Sequence, residues 1–378
     1  MPAIVFCLAA LLVAYAYVGY PAVLGALGAL RRRRPPSGGV EPRVSVIVAV
    51  HDGAARLRAK LDNTLAQDYP PERLEIIVAD DASADDGPAL VEREYAARGV
   101  RLVRLAARGG KEAAQKAALA EATGEVIVFT DVGTRLDAGG LAAIVRPFAD
   151  PRIGCVSSID RFVTRDGRPA GEGLYVRYEM FLRRLETNAG SLVGMSGSFF
   201  AVRREVCNDF SDRLPSDFRS VIAASRLGLR AVQGEGAFGY YEDVARPGAE
   251  LQRKVRTVLR GLTAFFAEFP RVNPFRAPLF WWQLVSHKLC RWLVPFALLA
   301  ALGASAASAP GSPTFAALFA LQAALYAYSA AATFFPRLLG FRPARAAHYF
   351  VLVNLSILVA WLRWARREKL VAWTPTAR

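Results

Sequence analysis

The chain changes its hydrophobic rhythm twice. Residues 4–29 form one apolar run. From Val44 onward the apolar positions come in short β-branched runs, each followed by a turn rich in Asp, Gly or Ser and then by a polar stretch with apolar residues at helical spacing. The runs predict strands at Val44–Val50, Leu74–Ala79, Val100–Leu105, Glu125–Thr130 and Ile153–Ile159. The stretches between them predict helices at Ala55–Gln67, Pro88–Arg98, Lys111–Ala122 and Leu141–Phe148. Such alternation implies an α/β domain with a mostly parallel sheet flanked by helices. Past residue 276 long apolar stretches return, with candidate spans at about 291–309, 314–334 and 346–363.

This pattern divides the chain into an N-terminal transmembrane anchor (1–34), a body (35–276) and a C-terminal membrane region (277–378). Residues 4–29 are long enough to cross a hydrocarbon layer of ~30 Å and lack the charged start of a cleavable signal peptide. Arg31–Arg34 follow at once, so the positive-inside rule places the body in the cytoplasm and makes the chain a multi-pass protein of the cytoplasmic membrane. Three crossings after that body would put the basic stretch Arg363–Lys369 outside, against the same rule. The span count therefore stays open between three and five.

Charge and composition narrow the function classes. The net charge of +15 lies mostly beside the apolar stretches: between residues 35 and 276 there are 34 basic and 32 acidic side chains. A nearly neutral body excludes a nucleic-acid binder, and the flanking basic residues point to membrane lipids as partners. All six tryptophans (Trp281, Trp282, Trp292, Trp361, Trp364 and Trp373) fall near the ends of the later apolar stretches, as interfacial indoles do. Four scattered cysteines and three distant histidines supply neither a disulfide framework nor a zinc site.

In an open parallel sheet, ligands lie beyond the carboxyl ends of the strands. Here the first strand ends in His51-Asp52, the second in Asp80-Asp81-Ala82-Ser83 and the fourth in Thr130-Asp131-Val132-Gly133. A single Asp at such a place is commonly a cap or an Asx turn. Three acidic strand ends together form a constellation, and adjacent Asp80 and Asp81 repel unless a donor, cation or ligand satisfies one of them.

These segments and several downstream ones occur in a familiar order. Val44-Ser-Val-Ile-Val-Ala-Val-His-Asp, Gln67-Asp-Tyr-Pro, Leu74-Glu-Ile-Ile-Val-Ala-Asp-Asp-Ala-Ser, Gly110-Lys-Glu-Ala-Ala, Thr123-Gly-Glu-Val-Ile-Val-Phe-Thr-Asp, Ser196-Gly-Ser-Phe-Phe-Ala-Val-Arg-Arg, Ser216-Asp-Phe and Gln252-Arg-Lys-Val-Arg-Thr resemble glycosyltransferase family 2. The resemblance covers roughly Val44–Leu262, with Ser286–Trp292 similar to membrane-bound, polysaccharide-synthase-like members. It implies a GT-A fold with added N- and C-terminal transmembrane helices, and an inverting transfer from a nucleotide diphosphate sugar donor to a lipid-linked or polysaccharide acceptor. His51, Asp80, Asp81 and Lys111 then match nucleotide-binding positions, Asp131 the first carboxylate of a D-x-D pair holding Mg²⁺ or Mn²⁺, and Asp217 the catalytic base. Gln252, Arg253 and Arg256 resemble the pyrophosphate-binding Q-x-x-R-W element.

Two departures qualify the match. The second D-x-D carboxylate is replaced by Gly133, and the Gln252 element lacks its Trp and displaces its Arg by one position. The first weakens the case for a cation without removing it, because Mg²⁺ can be held by one carboxylate with phosphate oxygens and waters. The second argues against long-chain processive synthesis. Together they are what a competing reading, a non-enzymatic membrane scaffold with a degenerate transferase domain, would rest on. Against that reading, Asp81, Asp131, Asp217 and Arg256 all stand at matching positions.

Overall fold

A computed structural model describes residues 1–31, 39–163, 174–242 and 247–368. Arg32–Arg34, Lys369, Trp373 and Arg378, which entered the charge and tryptophan arguments, lie outside them. The chain divides into two compact units, one comprising Leu27–Val244 with Thr263–Trp281, the other Met1–Ala26, Ala245–Leu262 and Trp282–Glu368.

The first unit is built on an eight-stranded mixed sheet. Its strands are β1 (Val44–Val50), β2 (Leu74–Asp80), β3 (Val100–Arg104), β4 (Val126–Asp131), β5 (Arg135–Leu136), β6 (Ile153–Val163), β7 (Phe199–Arg203) and β8 (Arg230–Glu242). The spatial order is β3-β2-β1-β4-β7-β6-β8-β5. β1 is buried along its whole length, which is why it reads as a continuous apolar run rather than an alternating one. It pairs in parallel with β2 and β4, and β2 with β3, as the alternation implies. Beyond β4 the direction reverses: β7 is antiparallel to both β4 and β6, β8 runs parallel to β6, and β5 is antiparallel to β8.

Helices α2 (Ala54–Leu65), α3 (Gly87–Leu90, continued by tighter and wider turns to Arg98), α4 (Lys111–Glu121), α5 (Gly140–Val145), α6 (Leu174–Ala189) and α7 (Ser216–Arg226) accompany the sheet. Leu57 and Leu61 of α2 pack with Val46, Val48, Ile76, Val78, Val128 and Tyr95 in a solvent-free core. Each such aliphatic side chain contributes about 1.5–3 kcal/mol by its removal from water. Register then fixes the chemistry. Val50 pairs with Asp80 and Ala49 with Asp131, so the two acidic strand ends flank the carboxyl end of β1 within the sheet.

In the second unit, helices that include α1 (Pro2–Arg31), α9 (Pro278–Gly311), α10 (Pro313–Phe334) and α11 (Arg342–Ala365) are long and apolar enough to cross a membrane. Chain order places α8 (Pro247–Glu268) before α9. Ala9 meets Ala297 and Ala301, small residues that let the α1 and α9 backbones approach closely. The helix α9 begins earlier than the apolar stretch expected at about 291, because two polar residues are accommodated inside the unit. Arg291 and His287 are buried, with Arg291 Nη1 donating to His287 Nε2 at 2.9 Å, and the guanidinium lies 5.9 Å from the Tyr17 ring centroid. The Trp361 indole N–H donates to Trp292 O at 2.9 Å, an indole using its polar edge within an apolar surrounding.

Candidate active site

The turn after β1 is held to the turn after β2. Asp52 adopts a left-handed backbone (φ 47°) and its amide donates to Ser83 Oγ at 3.0 Å, while its carboxylate accepts from the Ala84 amide at 2.8 Å. That backbone N–H, opposed by burial and helped by His51, holds the Asp52 carboxyl below the usual carboxylate range. His51 is buried, with Nδ1 2.8 Å from Asp81 O and Nε2 3.3 Å from Asp52 Oδ2.

The two adjacent carboxylates have different employment. Asp80 turns into its own loop: it accepts from the amide of Ser83 at 3.1 Å and from the Ser83 hydroxyl, and Arg104 Nε lies 3.4 Å away. Asp81 Oδ1 accepts from the amides of Gly109 and Gly110 at 2.7 and 2.9 Å. Gly110 caps α4 with φ 92°, a conformation glycine enters without the Cβ clash other residues meet. Asp81 Oδ2, by contrast, is buried without a hydrogen-bond partner. A buried carboxylate oxygen left unpaired is costly, and an imide N–H or a ribose hydroxyl would satisfy it.

Asp131 ends β4, and its carboxylate is paired with Lys111 Nζ at 2.5 Å. The pair has ionic distance but lacks hydrogen-bond alignment, so Asp131 Oδ1 keeps lone-pair capacity. Lys111, the first residue of α4, also donates to Gly197 O at 2.6 Å. The Asp131 amide donates to Ser198 O at 3.0 Å. Asp217 approaches the same segment from α7: its Oδ2 lies 3.3 Å from where a Cβ on Gly197 would stand. Pro215, not Asp217, occupies the cap of α7, and no side chain caps that helix, so Asp217 in its first turn is not employed as a cap. The segment Gly197-Ser198 thus brings Lys111, Asp131 and Asp217 together.

Two polar residues around this segment were not singled out from sequence. Lys60 is buried on α2, donating to Thr130 Oγ1 at 2.9 Å and Thr134 O at 2.7 Å across the Asp131 loop. Burial pushes its ammonium down to about 7, partly offset by Asp131. Its signal was a lysine on the apolar face that carries Leu57, Leu61 and Thr64. Gln115 on α4 is fully buried, its Oε1 accepting from Ser216 Oγ at 2.9 Å and its Nε2 without a partner. Helical spacing from Lys111 (i, i+4) could have found it.

Gln252, Arg253 and Arg256 belong to the second unit, on α8. Gln252 is exposed, and Arg253 Nε is buried without a hydrogen bond. Burial, with repulsion from Arg260 and Arg253, lowers Arg256 from the ordinary guanidinium range.

No group of three His, Cys, Asp or Glu side chains able to hold a metal exists among the described residues. The donor set near Asp131 is one carboxylate with free lone-pair capacity. That fits a hard divalent cation completed by ligand oxygens and waters.

A parallel half-sheet with acidic strand ends, continued by a mixed half through β7, β6 and β8, is the architecture of a nucleotide-sugar transferase domain of GT-A type. Residues 45–210 match Glycosyl transferase family 2, and the chain carries a domain of that family. A beta-monoglucosyldiacylglycerol synthase of Synechocystis sp. is 28% identical over 118 residues, 30% of this chain. The match spans about a quarter (25%) of that relative's length. The solved mannosyltransferase PcManGT from Pyrobaculum calidifontis, in complex with GDP-Man and Mn²⁺, is 26% identical with a TM-score of 0.73, over 97% of this chain and 100% of that one.

Proposed function

We propose that the chain is an inverting glycosyltransferase, moving a sugar from a nucleotide diphosphate sugar to a lipid-linked or polysaccharide acceptor at the cytoplasmic face of the membrane. The observation that carries this reading is the convergence of Lys111, Asp131 and Asp217 on Gly197-Ser198. Asp81 Oδ2 accepts from the base or ribose of the donor, and its buried, unpaired state supports that role. Asp217 takes the proton of the acceptor hydroxyl as its oxygen bonds to C1 from the face opposite the diphosphate. The C1–O bond to the diphosphate breaks, its electron pair leaves with the nucleoside diphosphate, and a single displacement inverts the anomeric centre.

Lys111 offsets the charge of the leaving diphosphate. Asp131 would hold Mg²⁺ or Mn²⁺ together with diphosphate oxygens, a cation that neutralises the leaving group when bound. The GDP-Man and Mn²⁺ of the PcManGT complex support this donor class and cation. The name of the Synechocystis beta-monoglucosyldiacylglycerol synthase supports a lipid-borne acceptor. We assign residues 35–276 to the catalytic domain, with the nucleotide also served by His51 and Asp80. Arg31 at the end of α1 supports the cytoplasmic side.

A panel of nucleotide sugars incubated with the detergent-purified protein, with Mn²⁺ or with EDTA, tests the reading. Release of nucleoside diphosphate from one donor, suppressed by EDTA, is expected. No release from any donor would refute it.

A further inference from the structure

Beneath Gly197 lies a buried polar relay that the transfer chemistry does not touch. Tyr241 on β8 is 4% exposed, and its hydroxyl donates to Asp160 Oδ1 on β6 at 2.5 Å. The same hydroxyl lies 3.0 Å from Ser196 Oγ. Ser196 is tied a second time, its amide donating to Ser157 Oγ at 2.9 Å. Arg183 of α6 stands on the far end, with Nη1 3.4 Å from Ser157 Oγ and 3.8 Å from Asp160 Oδ2. Even the backbone is shaped around the phenol: a Cβ on Gly239 would come within 3.0 Å of Tyr241 Oη.

A buried phenol with a half-buried carboxylate and guanidinium is costly to remove from water, and apolar side chains of similar volume would stabilise such a place as well. What the relay does uniquely is fix one segment. Ser196 precedes Gly197, whose carbonyl receives Lys111 and whose Cα faces the Asp217 carboxylate, and Ser198 O receives the Asp131 amide. We propose that Tyr241 and Asp160 are positioning residues that set where the Asp217 base stands relative to the Lys111–Asp131 pair, by pinning Ser196 from below. The proposal rests on the assignment of Asp217 as base. It distinguishes these residues from donor-binding ones, since neither Tyr241 nor Asp160 is asked to touch the nucleotide.

The test uses the full chain in detergent with Tyr241→Phe, which removes only the hydroxyl, and Asp160→Asn as a second variant should the first fold poorly. Three quantities are read: hydrogen exchange of peptides covering residues 193–203, affinity for the nucleoside diphosphate identified in the donor panel, and kcat. Exchange about tenfold faster in those peptides, an affinity within about twofold of wild type and a kcat about tenfold lower are expected, since small misplacements of a base carry costs of that order. Unchanged exchange in both variants would overturn the proposal, whether or not the wild type transfers sugar. So would equal losses of nucleotide affinity and kcat, which mean general loosening rather than displacement of the base. A wild type inert towards every donor would instead refute the transferase reading, and the exchange measurement would still decide the pinning of Ser196.

Discussion

At position 133 a glycine stands where the D-x-D pattern has its second carboxylate, and the fold leaves room for one. The nearest atom to a Cβ built there is Arg56 Nη1 at 3.7 Å, an ordinary contact, and the backbone is not among the left-handed glycines. Gly133→Asp should therefore fold normally and leave nucleoside diphosphate affinity in Mn²⁺ within about threefold of wild type, or tighter, because the donor's own oxygens already complete the cation's shell. Asp131→Ala should erase the difference between affinities in Mn²⁺ and in EDTA. Calorimetry of the three proteins in both buffers checks this. Equal wild-type affinities in the two buffers would mean that Lys111 neutralises the diphosphate without a cation. Asp81, Asp131 and Asp217 were legible as acids at strand ends or in a family motif. Their unequal employment was not, because Asp80 and Asp81 are indistinguishable until the loop shows that Ser83 and Arg104 take the one and leave an oxygen of the other unpaired.

Among the elements, α2 acts as a clamp on the loop carrying Asp131. Lys60 holds Thr130 and Thr134, and one turn later Asn63 exchanges two hydrogen bonds with Leu136 at 2.9 and 2.8 Å. Lys60→Met should weaken cation-dependent nucleotide binding by about tenfold, the scale of one or two lost hydrogen bonds to a buried charged group. It should also alter how stability varies with pH. Burial lowers the Lys60 ammonium in the folded state to about 7 from its ordinary value of 10.5, so the folded protein binds fewer protons than the unfolded one between those limits. The penalty is complete below pH 7 and fades as pH rises. The Tm of the wild type should accordingly gain on that of Lys60→Met from pH 7 to pH 10, whereas a constant difference would mean that Lys60 is not depressed. The parallel strands β1 to β4 were legible because buried β-branched runs announce themselves. β7 and β8 were not: Phe199–Arg203 was read only as a motif, and Gly234 and Gly236 interrupt β8 where it shifts register against β6.

On the scale of the whole molecule, four helices among the described residues are long and apolar enough to cross a membrane. A protease added to intact cells should spare residues 35–276 and should cut them in inverted vesicles, the sidedness that a cytosolic donor requires. Cleavage from outside would reverse the proposed orientation. The central claim is sharper than topology: this domain transfers sugar with Asp217 as its base. The direct measurement compares wild type and Asp217→Asn for transfer rate and for donor affinity, using the donor found in the panel. The amide keeps the shape and cannot accept a proton, so turnover should fall by about 10²- to 10⁴-fold while donor affinity stays within about threefold. Wild-type turnover in Asp217→Asn, or a parallel collapse of affinity and rate, would contradict the account.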